Sequence, residues 1–408
     1  MLEAEETAPT TQAAARRLPL LALLGANAVS QIGNQLTALA IPWYVLRVTG
    51  SPALVGLTGF VQGCAYIAAA FLGGVVVDRL GLRRASVLTD LASGVAIALI
   101  PLLHQTIGLR LWQLLIVIFA ASLLNTPGLA ARRGMLADLA ALGAVRLERA
   151  TSAEHGIGNF ASLVGPILAG VLLAIVAPAS VLWLDAVSFA LSAALIGSLV
   201  PARWPPLRGA SYRQQFAEGL SFIRHNVVVR TIALLGSFIN AVGAGLFGVV
   251  FPVYAARVFG SALGLGAMAA ADGGGALAGT VVYGAIGHRL PKRPTLLAAF
   301  TLSALGLSLL ALTPPLLVTV AVLVVDGFMF GIIGPLTYTI YRERVPEALG
   351  GRAFAAILGI HRLAVPFGAL LAGSLLGVLS IPVTVAAIAA LSLVVPLGVL
   401  LRPSLRDL

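Results

Sequence analysis

The sequence is poor in charge. Only 10% of its 408 residues are Asp, Glu, Lys or Arg, against about a quarter in an ordinary soluble domain. Hydrophobic residues make up 59%, and a water-soluble fold is excluded. A single cysteine, Cys64, excludes an intramolecular disulfide and a thiolate metal cluster. The five histidines, His104, His155, His225, His288 and His361, fall in separate segments with no i, i+4 pair. That spacing supports neither a metal site nor a Ser-His-Asp constellation. No Gly-x-x-x-x-Gly-Lys-Ser/Thr loop is present, so this chain does not drive a cycle with ATP. Gly264-Leu-Gly266 and Gly273-Gly274-Gly275 lie inside an apolar stretch and not between a strand and a helix. They read as helix packing or a hinge and not as a dinucleotide loop. No catalytic residue, cofactor or metal is expected.

What the sequence has is long apolar runs, at about 19–47, 52–77, 85–104, 111–131, 153–176, 180–200, 230–256, 262–287, 295–313, 315–341, 353–379 and 382–402. Each reaches the roughly 20 residues that cross a bilayer as a helix. Period-two alternation is absent, so a membrane β-barrel does not fit. The fold class expected is an all-α membrane protein of twelve transmembrane helices. The formal charge of +11 comes from basic residues in short groups between the runs, which indicates topology and not nucleic-acid binding. Of the 26 Lys and Arg residues, three, Arg47, Arg110 and Arg257, fall in one set of alternate connections and Arg362 lies inside a run; the rest fall in the other set. By the positive-inside rule both termini are cytoplasmic, in the plasma membrane. Glu3, Glu5 and Glu6 argue against a cleaved secretory signal.

The longest polar connection divides the chain six plus six. The expected organisation is a cytoplasmic tail over 1–18, a first bundle over 19–200, a cytoplasmic linker over 201–229, a second bundle over 230–402 and a tail over 403–408. Within the linker, Phe216, Leu220 and Ile223 recur at helical spacing beside Arg213, Glu218 and Arg224. This is an amphipathic helix that could lie on the membrane surface; a plain linker between halves fits equally. The halves also repeat. Gly74-Val-Val-Val-Asp78-Arg79-Leu-Gly81-Leu-Arg83-Arg84 after the second run aligns with Gly284 to Arg293 after the eighth at an offset of 210, which also sets Gln62-Gly63 against Asp272-Gly273. Such duplication around a midplane cavity builds rocking-bundle transporters.

The Gly-x-x-x-Asp-Arg-x-Gly pattern of Gly74, Asp78, Arg79 and Gly81, followed by Arg83-Arg84, resembles the signature loop of the major facilitator superfamily. Gly165-Pro166 with Gly170 in the fifth run is similar to that family's exporter motif. Pro346, Gly351, Arg352, Pro366-Phe-Gly368 and Gly373 resemble the subgroup of macrolide, siderophore and multidrug exporters. The resemblance spans nearly the whole chain. It implies two pseudo-symmetric six-helix bundles, and a conformational latch in which Asp78 meets the start of the eleventh span near Gly351 and Arg352.

Ionisable residues far from span ends are costly and usually face a cavity or a partner. Asp272 and Asp326 qualify. A carboxyl in low dielectric takes up a proton reversibly near working pH, so these two, with Glu154, are the proton-coupling candidates. Asp90 is expected in a cytoplasmic charge network, and Asp185 in a structural role at the extracellular end of the sixth run, within reach of water. Asn27, Gln31, Asn34 and Gln35 share one stripe of the first helix. With Asn125, Asn240 and Tyr338 they are candidates to line a substrate route. The function expected is proton-coupled efflux of hydrophobic or amphipathic small molecules by alternating access. Its partners would be a small-molecule substrate, protons and membrane lipid, with no nucleic acid and a monomeric chain. An importer of a small metabolite on the same scaffold and a non-transporting membrane sensor stay open as alternatives.

Overall fold

The computed structural model describes residues 8–202 and 212–402, which are helical almost throughout with no strand among them. The helices are α1 (Ala8–Thr49), α2 (Pro52–Leu80), α3 (Leu82–Thr106), α4 (Leu111–Leu142), α5 (Leu147–Ile175), α6 (Pro178–Leu199), α7 (Tyr212–His225), α8 (Val227–Phe259), α9 (Ala262–Ile286), α10 (Lys292–Leu310), α11 (Leu316–Arg344), α12 (Gly350–Val378) and α13 (Ile381–Leu401). Eleven of them, α2–α6 and α8–α13, are long and apolar enough to cross a membrane. α1 is longer than any of these, at 42 residues; its amides Asn27, Gln31, Asn34 and Gln35 lower its apolar character. The expected twelve spans follow. The tail 403–408 and the linker stretch 203–211 lie outside the described residues.

α1 begins earlier than the apolar pattern implies. Pro9 falls in its first turn, where the missing N–H costs nothing, and Ala13–Ala15 are the strongest helix formers. Proline also shapes the later helices. α8 carries wide π turns at Leu246–Val250 and Ala255–Phe259 on either side of Pro252, the local remedy for a missing intrahelical donor. α12 breaks at Ala364 just before Pro366, and α13 at Leu393 before Pro396.

The chain divides into two compact units. The first takes α1 up to Thr37, α2 from Ala68, α3, α4, α5 up to Ala161 and α6. Leu23, Ala131, Met135, Leu139 and Ile196 form its core. The second takes the rest, with Val229, Ile232, Leu296, Leu336, Ile340 and Ala356 in its core. α9 and α11 pack closely within it. There, Gly275 and Gly279 face the backbone of Val324 and Phe328, while Gly327 and Gly331 face that of Asp272 and Ala276. Each helix thus presents a Gly-x-x-x-Gly face, which allows backbones to approach where lipid supplies no hydrophobic drive.

Candidate functional site

The crossing of α9 and α11 sets the site. Gly327 lies against the backbone carbonyl of Asp272, so Asp326, one residue earlier, is brought beside Asp272. Both line a cavity of about 410 Å³ inside the second unit, with Asn240, Phe247 and Phe251 of α8, Phe300 of α10 and Phe330 of α11 among its walls. Asp326 is 9% exposed and accepts a hydrogen bond from the Ser303 hydroxyl of α10. Asp272 has no hydrogen-bond or ion-pair partner among the described residues. Among the described residues, no Lys, Arg or His lines the chamber. Two carboxylates facing one largely apolar space repel each other strongly, because little solvent screens them. A single proton, or a cation held between them, relieves that repulsion.

A second cavity, about 430 Å³, shares Asn240, Phe300 and Phe330 with the first and continues to Tyr338, Tyr341 and His361. Gly236 leaves room for the His361 ring, whose Nε2 is 3.4 Å from the Tyr341 hydroxyl. Arg342 covers the rings of Tyr338 and Phe354, each at 5.6 Å, and donates from Nε to the Tyr338 hydroxyl at 3.1 Å. Asn240 donates to the Gly236 carbonyl at 2.8 Å, which fixes its amide at the wall common to both chambers. Ser303 and His361 were not singled out as site residues in the sequence, since nothing in their own spans marks them.

The first unit holds a different polar arrangement. Asp90 of α3 and Arg132 of α4 are fully buried, 0% and 1% exposed. Arg132 donates from Nη1 to both carboxylate oxygens, at 2.7 and 2.6 Å, and Ser192 of α6 donates to the carboxylate at 2.7 Å. Asp90, expected in a cytoplasmic charge network, pairs with Arg132 in the interior of the unit. Arg132, counted among the cytoplasmic loop residues, is instead inside α4, which continues to Leu142, and Asp90 compensates its buried charge. One signal was available: Asp90 precedes the connection 107–110 by 17 residues and Arg132 follows it by 22, an offset of about 7.5 Å within the reach of a long arginine side chain.

Asp185 departs from the expectation. It is fully buried and not solvated, because Gly33 of α1 leaves space for its carboxylate. Thr37 donates to it at 2.5 Å and Ser188 at 3.0 Å. The structural role expected of it stands on those bonds.

The amide stripe is distributed over several partners. Asn125 donates to the Asn34 carbonyl oxygen at 2.9 Å, the Gln31 side chain faces Gly158 of α5, and Gln35 is partly buried. Asn27 is 1% exposed, with its carbonyl oxygen unpartnered among the described residues. Glu154 belongs to the first unit and pairs with Arg133 at 3.3 Å; it is not part of the Asp272–Asp326 group.

The three exporter-motif residues sit where α5 meets α9 within the second unit. Gly165 and Pro166 are buried. A Cβ on Gly170 would come 2.7 Å from the Gly266 Cα, and one on Gly266 would come 2.8 Å from the Pro166 carbonyl oxygen. Gly56 of α2 and Gly373 of α12 meet in the same way, 2.8 Å from Cβ to Cα. The offset of 210 that relates the halves also relates Gly56 to Gly266, so the repeat extends to the packing.

A family model described as Major Facilitator Superfamily matches residues 23–260 and 233–407. The chain belongs to that superfamily. It is similar to the multidrug efflux pump Tap of Mycobacterium tuberculosis, 29% identical over 405 residues that cover 96% of this chain and 95% of Tap. It is also similar to the enterobactin exporter EntS of Escherichia coli, 29% identical over 401 residues, 94% of this chain and 91% of EntS. Among solved structures, a mutant of the nucleoside transporter NupG aligns with a TM-score of 0.80 at 12% identity, covering 94% of this chain and 99% of that one. The POT family transporter PepTSo aligns at 0.70 and 13%, covering 94% and 97%. At such identities these two speak to the fold alone.

The superfamily's signature loop is built in the first unit. Gly81 separates α2 from α3 at φ +74°, a conformation in which a Cβ is strained. Leu82, which intervenes before the basic pair, is buried with its methyl groups against Gly134 of α4. Arg83 donates to the carbonyls of Ile196 and Gly197, the free acceptors at the end of α6. Asp78, Arg79 and Arg84 are exposed, and of Gly74 only the helical backbone is described. Arg352 stands in the second unit, where its guanidinium pairs with Glu218 of α7.

Proposed function

We propose that the protein is a proton-coupled exporter of hydrophobic or amphipathic small molecules that works by alternating access. The relatives named for multidrug efflux and enterobactin export support the direction and the breadth of substrate. The observation that carries the coupling is the pair Asp272 and Asp326, facing one apolar chamber with no basic residue among the described ones on its walls. Protonation of the pair removes its repulsion and ionisation restores it, so its proton occupancy favours different helix arrangements around the chamber. Asn240 and Tyr338, on the walls of the adjoining cavity, and the amides of α1 and α4 line the substrate route. Asp78, Arg79, Gly81, Arg83, Arg84 and Arg352 act as the latch at the basic end of the bundles. The chain works as a monomer in the plasma membrane with both termini cytoplasmic.

Expression in a dye-sensitive bacterial host lacking its own pumps tests this reading. Cells carrying the protein should accumulate less of a lipophilic fluorescent dye, and a protonophore should abolish the difference. Greater accumulation by expressing cells would indicate uptake and refute the exporter. Exclusion that survives the protonophore would refute proton coupling.

A further inference from the structure

α7 has one face occupied and one open. Phe216 and Gly219 pack against Gly359 and the Arg352 backbone of α12, Ile223 is 2% exposed, and the Arg352 guanidinium pairs with Glu218 at the surface. On the open side α7 ends in Arg224. The chain turns at Asn226, whose side chain caps α8 by accepting from the Val229 N–H at 3.1 Å. Arg230, on the first turn of α8, then donates from Nη1 to the Arg224 carbonyl at 2.9 Å. Neither arginine has an acidic partner among the described residues. Both line one end of a groove of about 620 Å³ between α7, α8 and α12.

Away from the arginines the groove is apolar. Leu234 is 57% exposed, Leu363 50% and Phe367 63%, and in a transmembrane bundle such surface meets lipid. Arg230 and Ser237 stand seven positions apart on α8, roughly 10 Å along the axis at 1.5 Å per residue. Ala364, where α12 breaks, lies on the opposite wall. The groove therefore joins an unneutralised double positive charge to an apolar channel that runs along two spanning helices.

We propose that this groove is a binding site for an anionic phospholipid, with the phosphate diester at Arg224 and Arg230 and an acyl chain along Leu234, Leu363 and Phe367. A zwitterionic lipid would bring its own ammonium group toward the arginines and bind less well. A free anion would use the arginines and gain nothing from the groove. Because α7 packs on α12 through Phe216 and Gly219, the lipid braces the linker helix against α8 and α12.

The test is native mass spectrometry of the full-length protein, titrated with phosphatidylglycerol, phosphatidylcholine of matched chains, or inorganic phosphate alone. Wild type should retain phosphatidylglycerol in preference to phosphatidylcholine. Arg224→Gln and Arg230→Gln should each lower that preference by about fivefold, and Arg146→Gln, at an exposed position outside the groove, should leave it intact. Ala364→Trp keeps both arginines and fills the groove, so it should weaken phosphatidylglycerol binding and keep the proposal testable if a charge variant fails to fold. Equal retention of the two lipids, an equal loss in Arg146→Gln, or no effect of Ala364→Trp would overturn it. So would phosphate alone displacing the lipid, or a lipid-independent dimer burying Arg224.

Discussion

Removing one member of the Asp90–Arg132 pair should be among the most damaging single changes in the protein. Both side chains are buried, at 0% and 1% exposed, so no solvent replaces the missing partner. Asp90→Asn leaves the Arg132 guanidinium charged, with only neutral acceptors in reach among the described residues: the new amide oxygen, Ser192 at 3.2 Å and Ser30 at 3.5 Å. Breaking a buried pair in this way costs about 3–5 kcal/mol. Arg132→Met leaves a carboxylate that keeps the Ser192 hydrogen bond at 2.7 Å and can take up a proton, so its loss should be somewhat smaller. The double variant Asp90→Asn/Arg132→Met removes both charges and should cost less than Asp90→Asn alone, since no buried charge is left unpaired. Denaturant unfolding in detergent micelles, followed by tryptophan fluorescence, gives all three values as a double-mutant cycle. Additive losses, or an Asp90→Asn effect below about 1 kcal/mol, would refute the compensation.

Ser303→Ala removes the hydroxyl donor to Asp326 and should destabilise the protein by about 1.5–3 kcal/mol when the carboxyl is ionised and by less when it is protonated; unfolding at two pH values reads the difference. Gly327→Ala would drive a methyl group into the Asp272 backbone and should cost about 1–3 kcal/mol through overpacking, lowering the melting temperature. Gly266→Ala, 2.8 Å from the Pro166 carbonyl, should separate α9 from α5 at that point and shorten the crosslinking yield of cysteine pairs placed there. Glu154→Gln should change stability by at most about 1 kcal/mol, because its partner Arg133 is 64% exposed; a larger loss in the same unfolding assay would assign it a deeper role.

Much of the fold could be read from the sequence because the bilayer imposes simple rules. Run length suffices for twelve helices, whereas the second compact unit draws on segments of both sequence halves. Asp272 and Asp326 were legible as expensive residues inside apolar runs. Their meeting was not, because it depends on the Gly-x-x-x-Gly faces of α9 and α11 coming into register, which is a tertiary event. Arg132 misled for a related reason: one arginine at a span end reads as a loop residue until its partner on another helix is known. Asp185 was assigned to water because the space left by Gly33 on α1 has no local sequence signal.

The most direct measurement uses purified protein in liposomes with an imposed pH gradient, following the movement of a lipophilic dye against its own gradient. Wild type should accumulate dye on the side that drives protons through the protein. Asp326→Asn and Asp272→Asn should each abolish uphill movement while still allowing dye to equilibrate. Uphill movement that persists at the wild-type rate in both variants would contradict a role for the two aspartates in coupling.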